Sequence, residues 1–113
     1  MSKVYGLHTI ALKPGVKAAD FEKFVAEAIA SSFRMEGAEI HVLKGDRGDR
    51  EGKYLYLIEF SSLEARQRYF PAPGEATEEA QQLLASMAKT FEEWDTYATS
   101  ISVIYTDYVT VGE

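Results

Sequence analysis

Six segments with regular apolar spacing follow one another in the order strand, helix, strand, strand, helix, strand. This order constrains the fold more than any other feature, because it consists of two strand-helix-strand units joined through adjacent strands. It predicts an α+β protein with a four-stranded antiparallel sheet and the helices on one face. Strands one and three are expected at the centre of the sheet.

The first strand and helix are marked by a change in the spacing of their apolar residues. Residues 3–13 alternate, with Gly6 and His8 predicted on one face and Tyr5 and Leu7 on the other. The pair Pro14-Gly15 ends the strand. Residues 17–33 then repeat apolar side chains every three or four positions, which predicts an amphipathic helix.

Residues 38–45 and 53–60 are predicted to form a hairpin around a charged loop that contains Arg47-Gly48-Asp49. That tripeptide is one that cell-surface receptors can bind. However, the loop contains three glycines and nearly balanced charges, both of which are typical of a solvated turn. We interpret the loop as a hairpin tip.

The second half of the chain contains two further helical segments and a last strand. Ser61 and Glu64 form a capping-box pattern, and the prolines at 71 and 73 end a short helix. Thr77 is expected to cap the longest helix, residues 77–99. Residues 101–112 are rich in β-branched and aromatic side chains, which predicts the fourth strand.

One face of the predicted sheet has no helix to cover it. Its apolar side chains are those of Tyr5, Leu7, Leu55, Leu57, Ile104 and Tyr108. An exposed apolar surface of this kind indicates a binding partner. We therefore expect a homodimer through this second sheet face.

Length, charge and cysteine content narrow the class of protein. The 113 residues are expected to form a single domain, 1–113. The net charge of −6 disfavours nucleic acid and anionic membranes as partners, and no apolar stretch is long enough for a signal peptide or a membrane span. The absence of cysteine fits a reducing cytoplasm.

Three short segments carry a resemblance to a known family: "LKPG" after the first strand, "FEKFV" in the first helix and "FSSLEARQRYF" after the third strand. The chain resembles the dimeric α+β barrel superfamily, and within it the antibiotic-biosynthesis-monooxygenase-type domains. The resemblance implies a ferredoxin-like βαββαβ fold whose two sheets pack face to face in a dimer. It also implies a small-molecule pocket between the sheet and the helices.

The resemblance carries over to individual residues at few positions. The site of the heme-degrading branch contains an asparagine and a tryptophan. This chain has His8 at the position of the asparagine and Phe60 at the position of the tryptophan. The histidine that branch has on the last helix is missing from residues 77–99. We therefore expect no heme. With no cysteine and no glycine loop leading into a helix, we also expect no metal and no nucleotide.

His8 and Asp107 are the candidate catalytic residues. If Val4 pairs with Val111 across strands one and four, His8 lies opposite Asp107 on the helix side of the sheet. A buried polar side chain needs a partner, which favours contact between the two. A carboxylate that orients an imidazole prepares a general base. The alternatives are a pair that only fixes strand register, or an Asp107 that points to solvent.

The candidate substrate-binding residues are aromatic side chains expected around a flat pocket beside His8. They are Tyr54, Tyr56, Phe60, Phe91 and Trp94. The alternative is that they form core and nothing else. His41 is interpreted as a surface histidine on the second face, and Glu59 is expected to pair with Lys13 or with a residue across the dimer.

Two functions from different classes remain open. The first is a cofactor-independent monooxygenase or isomerase-like enzyme that acts on a small aromatic or polyketide-like substrate, with His8 as base and Asp107 orienting it. The second is a dimeric binding or structural domain without a reaction of its own. An open cavity beside His8 would favour the first.

Overall fold

The computed structural model describes residues 2–31, 35–99 and 105–112, with the backbone alone for residues 29–31. Their secondary structure follows the chain in this order: β1 (Val4–Ile10), α1 (Ala18–Ser31), β2 (Ala38–Lys44), β3 (Tyr54–Phe60), α2 (Leu63–Tyr69), α3 (Glu78–Ser86), α4 (Ala88–Tyr97) and β4 (Tyr105–Val109).

The four strands form one antiparallel sheet in the order β2-β3-β1-β4. This confirms the predicted ferredoxin-like α+β fold, with β1 and β3 at the centre. The helices cover the face that carries Val4, Ile10, Ile58 and Phe60, all buried. The opposite face carries the remaining side chains of the same strands.

The register between β1 and β4 differs from the prediction. Val4 lies opposite Val109 rather than Val111, so β4 is displaced by two residues along β1. A shift of two residues keeps every side chain on its predicted face, because side chains in a strand alternate with a period of two. The alternation of apolar residues therefore could not distinguish the two registers.

The predicted long helix at residues 77–99 is two helices. α3 ends at Ser86, Met87 is non-helical (φ −104°, ψ 12°), and α4 begins at Ala88. The Ser86 hydroxyl donates a hydrogen bond of 2.6 Å to the carbonyl of Leu83. A serine hydroxyl that bonds back to the preceding turn competes with the helical ladder and bends it. The break brings Met87 into the core, where it is buried.

The predicted cap at Thr77 is confirmed, since its hydroxyl accepts a hydrogen bond from the Ala80 amide. Arg68 of α2 joins this end of α3 through two hydrogen bonds of 2.9 and 2.7 Å to the Glu79 carboxylate. These bonds hold the pKa of Glu79 below its ordinary value. Helices α2 and α3 are thus fixed to each other across the loop that Pro71 and Pro73 occupy.

The hairpin loop between β2 and β3 is a compact turn. Gly48 and Gly52 have positive φ angles of 107° and 78°, which favour glycine. A Cβ on Gly45 would lie 1.9 Å from the Arg50 carbonyl oxygen, so the loop closes only with glycine there. Arg47 and Asp49 are exposed.

Two apolar clusters fill the space between the sheet and the helices. The first surrounds Phe60 and Tyr69, near the α2 and α3 end of the sheet. The second surrounds Phe21 and Trp94, between α1 and α4. Tyr56 packs against both clusters from the middle of β3. None of the helices in the described ranges has the length and apolarity that crossing a membrane requires.

Candidate functional site

His8 lies in the middle of β1, on the helix side of the sheet, and is half-buried. Its ring stacks on Tyr105 of β4, with ring centres 5.3 Å apart and planes 24° apart. On its other side it meets the edge of Tyr56 of β3, with centres 5.4 Å apart and planes at 83°. Two neighbouring strands therefore orient the imidazole.

The Asp107 carboxylate approaches His8 over Gly6, the residue two positions earlier on the same face of β1. A Cβ on Gly6 would lie 2.9 Å from Oδ1 of Asp107 and 3.9 Å from Nε2 of His8. The absence of a side chain at residue 6 is therefore what admits the carboxylate to this position.

The other carboxylate oxygen belongs to an ion pair with α2. Asp107 Oδ2 accepts a hydrogen bond of 3.0 Å from Nη1 of Arg66. The two side chains retain 29% and 23% of their solvent exposure, so the pair is neither fully solvated nor sealed in the core. This bond ties the edge strand β4 to the helical layer.

The pairing predicted for His8 is corrected by this geometry. The residue opposite His8 is Tyr105, and the residue opposite Asp107 is Gly6. His8 and Asp107 share a face as predicted, but they are diagonal neighbours. The predicted direct opposition depended on pairing Val4 with Val111, two residues out of register.

Gly6→Ala tests how closely the strands pack at this point. The new methyl group would meet Asp107 Oδ1 and Ile58 Cγ2, both at 2.9 Å, so the carboxylate that bonds to Arg66 and the buried Ile58 side chain would both have to shift. We expect a loss of about 1–3 kcal/mol of unfolding free energy and a fall in Tm of about 5–15 °C. Thermal unfolding followed by circular dichroism measures it. Lys53→Ala, at an exposed position just before β3, is the control, and an equal Tm for both variants would contradict the close approach.

A cavity of about 40 Å³ lies between β2, β3, α1 and α4, with an almost entirely apolar wall. Its lining residues are Phe24, Val25, Ala28, Ile40, Val42, Tyr56, Met87, Thr90, Phe91 and Trp94. This volume exceeds what one water molecule needs but is well below the roughly 150 Å³ of a cavity that takes benzene. An aromatic ligand would have to displace a wall residue.

Tyr56 contacts His8 and also lines the cavity, whereas His8 is not one of the lining residues. The Tyr56 ring contacts the imidazole on one side and Trp94 on the other, with centres 6.2 Å apart. Burial raises the pKa of the Tyr56 hydroxyl well above its ordinary value, so the group stays protonated at neutral pH. Of the five aromatic residues predicted around a pocket, Tyr56, Phe91 and Trp94 lie in this wall.

Tyr54 and Phe60 lie elsewhere in the core. Phe60 packs in the first cluster, with its ring 6.4 Å from that of Phe70. Tyr54 belongs to the second cluster, and its hydroxyl donates a 2.5 Å hydrogen bond to Glu22, which also pairs with Lys44 at 2.9 Å. The hydrogen bond from Tyr54 is the main reason that the pKa of Glu22 is lowered.

The polar group of Trp94 has a structural partner. Its indole N–H donates a 2.8 Å hydrogen bond to the Thr99 carbonyl, beyond the end of α4. Thr99 is also bonded to the chain just after β1, because its amide donates a 3.0 Å hydrogen bond to the Ala11 carbonyl. Trp94 thus presents its apolar ring to the cavity.

Arg66 is the residue of this site that the sequence analysis missed. It precedes the buried Tyr69 by three positions on α2, so both lie on the same side of that helix. A cation on the inward side of a helix needs an anion. The three-residue spacing of Arg66 and Tyr69 therefore indicates an ion pair on the inward side of α2. It does not identify Asp107 as the partner.

The second sheet face carries charges among its apolar residues. Glu59 pairs with Lys3 at 3.6 Å, not with Lys13, whose ammonium group donates to the Asp95 carbonyl. His41 lies on this face as predicted, 3.7 Å from Glu39. Ile104 was also predicted here, but it lies outside the described residues. Within the described ranges, no three His, Asp or Glu side chains converge in a way that could hold a metal ion.

Comparison with solved structures places this fold among known proteins. A DABB family protein with a ferredoxin-like fold from Mesorhizobium loti aligns over 99% of this chain and 100% of its own, with a TM-score of 0.56 and 17% identity. A mutant form of SnoaB from Streptomyces nogalater, a cofactor-independent oxygenase, aligns over 97% and 92%, with a TM-score of 0.54 and 13% identity. A candidate antibiotic biosynthesis monooxygenase from Bordetella bronchiseptica aligns over 100% and 99%, with a TM-score of 0.52 and 12% identity.

These similarities define the class: the chain has the ferredoxin-like fold found in DABB and antibiotic-biosynthesis-monooxygenase-type proteins. No family model matches the sequence, and no curated protein matches it. At identities of 12 to 17%, the shared feature is the fold. The activity has to be argued from the site.

Proposed function

We propose that this protein is a homodimeric enzyme that binds a small aromatic or polyketide-like molecule between sheet and helices, and that His8 removes a proton from it. The carrying observation is the position of the imidazole, which is oriented by Tyr105 and contacts Tyr56, a wall residue of the apolar cavity. His8 does not itself line the cavity, so the acidic carbon of a bound substrate would have to lie at the Tyr56 end of the cavity to come within reach of the base.

The proposed chemistry needs no bound cofactor. His8 takes a proton from a carbon made acidic by a neighbouring carbonyl group, and the electron pair stays on the substrate as an enolate. Returning the proton to another atom of the enolate gives an isomer. Alternatively, the enolate carbon forms a bond to O₂, which is the oxidant, and the resulting peroxide takes up the proton that His8 removed. Loss of the second C–H proton then breaks the O–O bond, so that the CH₂ group becomes a C=O group and one oxygen atom leaves as water. The fold shared with a cofactor-independent oxygenase supports this reaction class.

The dimer is proposed from the surface of the single chain. A compact monomer of this mass exposes about 6,200 Å², whereas this chain exposes 7503 Å². Its radius of gyration is 14.5 Å, against about 13 Å for a compact domain of this length. Leu7 and Leu57 are paired at the centre of the second face, and the helices of the described ranges pack against the other face. A second copy of the chain placed on this face would cover them.

A second candidate, a dimeric domain without a reaction, is favoured by the small size of the cavity. The aromatic wall fills most of the space, and the polar groups of Trp94 and Tyr54 bond within the protein. In this case His8 and Asp107 would serve to fix the edge strand. Ligand binding separates the two candidates.

The binding test is a thermal melt with 2-tetralone, a two-ring aromatic ketone with an acidic methylene group. A ligand that binds the folded state raises Tm as its concentration exceeds Kd. We expect a rise of a few degrees at millimolar ketone, and none for Ala28→Leu, because the added atoms fill a cavity of about 40 Å³.

The matched control is Ala26→Leu, which adds the same atoms to an exposed position of α1. It should retain the full rise in Tm. An equal rise in wild type and Ala28→Leu would move the binding site away from this cavity. No rise in any of the three proteins would favour the non-catalytic domain.

A further inference from the structure

The ion pair between Arg66 and Asp107 adjoins the proposed base but has no part in the proton transfer itself. Asp107 uses its two oxygens differently, since Oδ2 bonds to Arg66 at 3.0 Å while Oδ1 lies over Gly6, on the side where Nε2 of His8 also lies. The guanidinium group therefore bonds to the carboxylate oxygen other than the one that lies over Gly6.

We propose that Arg66 offsets part of the negative charge that the Asp107 carboxylate places near His8, so that the imidazole remains neutral in the resting protein. A neutral imidazole is the form that accepts a proton. The catalytic consequence rests on the proposed function, but the electrostatic arrangement can be tested without any substrate.

Two features of the geometry support this role. The Arg66 and Asp107 side chains keep less than a third of their exposure, so solvent screens their charges less than it screens a surface pair. The pair also joins α2 to the edge strand β4. A movement of β4 away from β1 would therefore separate the carboxylate from the guanidinium group.

The titratable and charged groups that face His8 come from both neighbouring strands and from the helical layer. Among the described contacts of His8 they are the Tyr56 and Tyr105 rings with their hydroxyls, the Asp107 carboxylate, and the Arg66 guanidinium that bonds to that carboxylate. Burial keeps the Tyr56 hydroxyl protonated at neutral pH. The charges that act on the imidazole from these groups are therefore those of Asp107 and Arg66, which are opposite in sign.

The test is a proton NMR titration of His8 in the full-length protein without ligand. The chain has two histidines, so the His41→Gln variant assigns the remaining imidazole resonance to His8. Arg66→Gln should raise the titration midpoint of His8 by about 0.3–1 pH unit, because a nearby positive charge disappears and the carboxylate is no longer offset. Arg66→Lys, which keeps the charge, should stay within about 0.2 unit of wild type.

Arg68→Gln is the matched control, since Arg68 lies on the same helix but pairs with Glu79 and Glu36. It should leave the midpoint of His8 unchanged. A midpoint that stays constant or falls in Arg66→Gln would overturn the proposal. Asp107→Asn provides an independent measurement if Arg66→Gln fails to fold: the midpoint should fall by a similar amount, and an unchanged midpoint would likewise overturn the proposal.

The outcome is separable from that of the proposed function. Shifts of the expected sign in a protein that turns over no ketone would support the role of Arg66 and contradict the enzyme. Turnover that depends on His8, together with an unchanged midpoint in Arg66→Gln, would support the enzyme and contradict the role of Arg66.

Discussion

Leu57→Glu is expected to convert the proposed dimer to a monomer. Leu57 lies on β3 between Leu7 of β1 and His41 of β2, at the centre of the second sheet face. In a two-fold dimer the new carboxylate would be buried twice, once from each copy. No lysine or arginine lies directly opposite residue 57 on β1 or β2. An uncompensated buried charge costs about 3 kcal/mol or more, which raises the Kd of the dimer at least about 100-fold.

Sedimentation velocity at about 10 µM protein measures this effect. Wild type should sediment as a dimer of about 25 kDa, twice the 12.6 kDa mass of the chain, and Leu57→Glu as a monomer. Leu63→Glu is the control, because Leu63 is a leucine on α2, in the helical layer, with 44% exposure. It should remain dimeric. A monomeric wild type, or a dimeric Leu57→Glu with normal circular dichroism, would contradict assembly through this face.

The features of the fold that could be predicted from sequence depend on local periodicity. The alternation in β1 and β3 gives the face of every side chain, and the spacing of Phe21, Phe24 and Val25 gives the buried side of α1. The order of elements then leaves few antiparallel topologies. The central position of β1 and β3 follows from that order.

The features that were missed depend on side-chain hydrogen bonds and ion pairs, which the apolar spacing does not encode. The two-residue displacement of β4 preserves alternation, so only packing against α2, through Arg66 and Asp107, distinguishes the registers. The break at Met87 follows from the Ser86 hydroxyl bonding to the preceding turn rather than pointing to solvent. Neither choice is visible in the apolar pattern.

The aromatic residues of β3 show the same limit within one strand. Tyr54, Tyr56 and Phe60 share a face, but a strand rises about 3.3 Å per residue, so alternate side chains meet different helices. Tyr56 reaches the cavity, whereas Tyr54 packs beside Phe21 and Phe60 beside Phe70. The alternation of side chains along a strand predicts which face of the sheet each one occupies. It does not predict the residues that each one contacts on that face.

The largest expected effect on activity is that of His8→Ala. Both proposed reactions begin with removal of a proton from carbon, so exchange of the acidic protons of 2-tetralone into D₂O reports the shared step. A positioned general base contributes about 10²–10⁴-fold, and we expect enzyme-catalysed exchange to fall by that factor in His8→Ala. Asp107→Asn should lower it by a smaller factor, about tenfold, because the base itself is retained.

Proton NMR of the ketone measures the exchange rate, with the rate in buffer subtracted. His41→Ala is the matched control, since it removes the other histidine of the chain, which lies on the opposite face of the sheet beside Glu39. It should exchange at the wild-type rate. Wild-type exchange that survives in His8→Ala would remove the imidazole as base. If wild type does not exceed the buffer rate although 2-tetralone raises its Tm, the cavity binds the ketone without acting on it, and the His8, Asp107 and Arg66 cluster serves to hold β4 on the sheet.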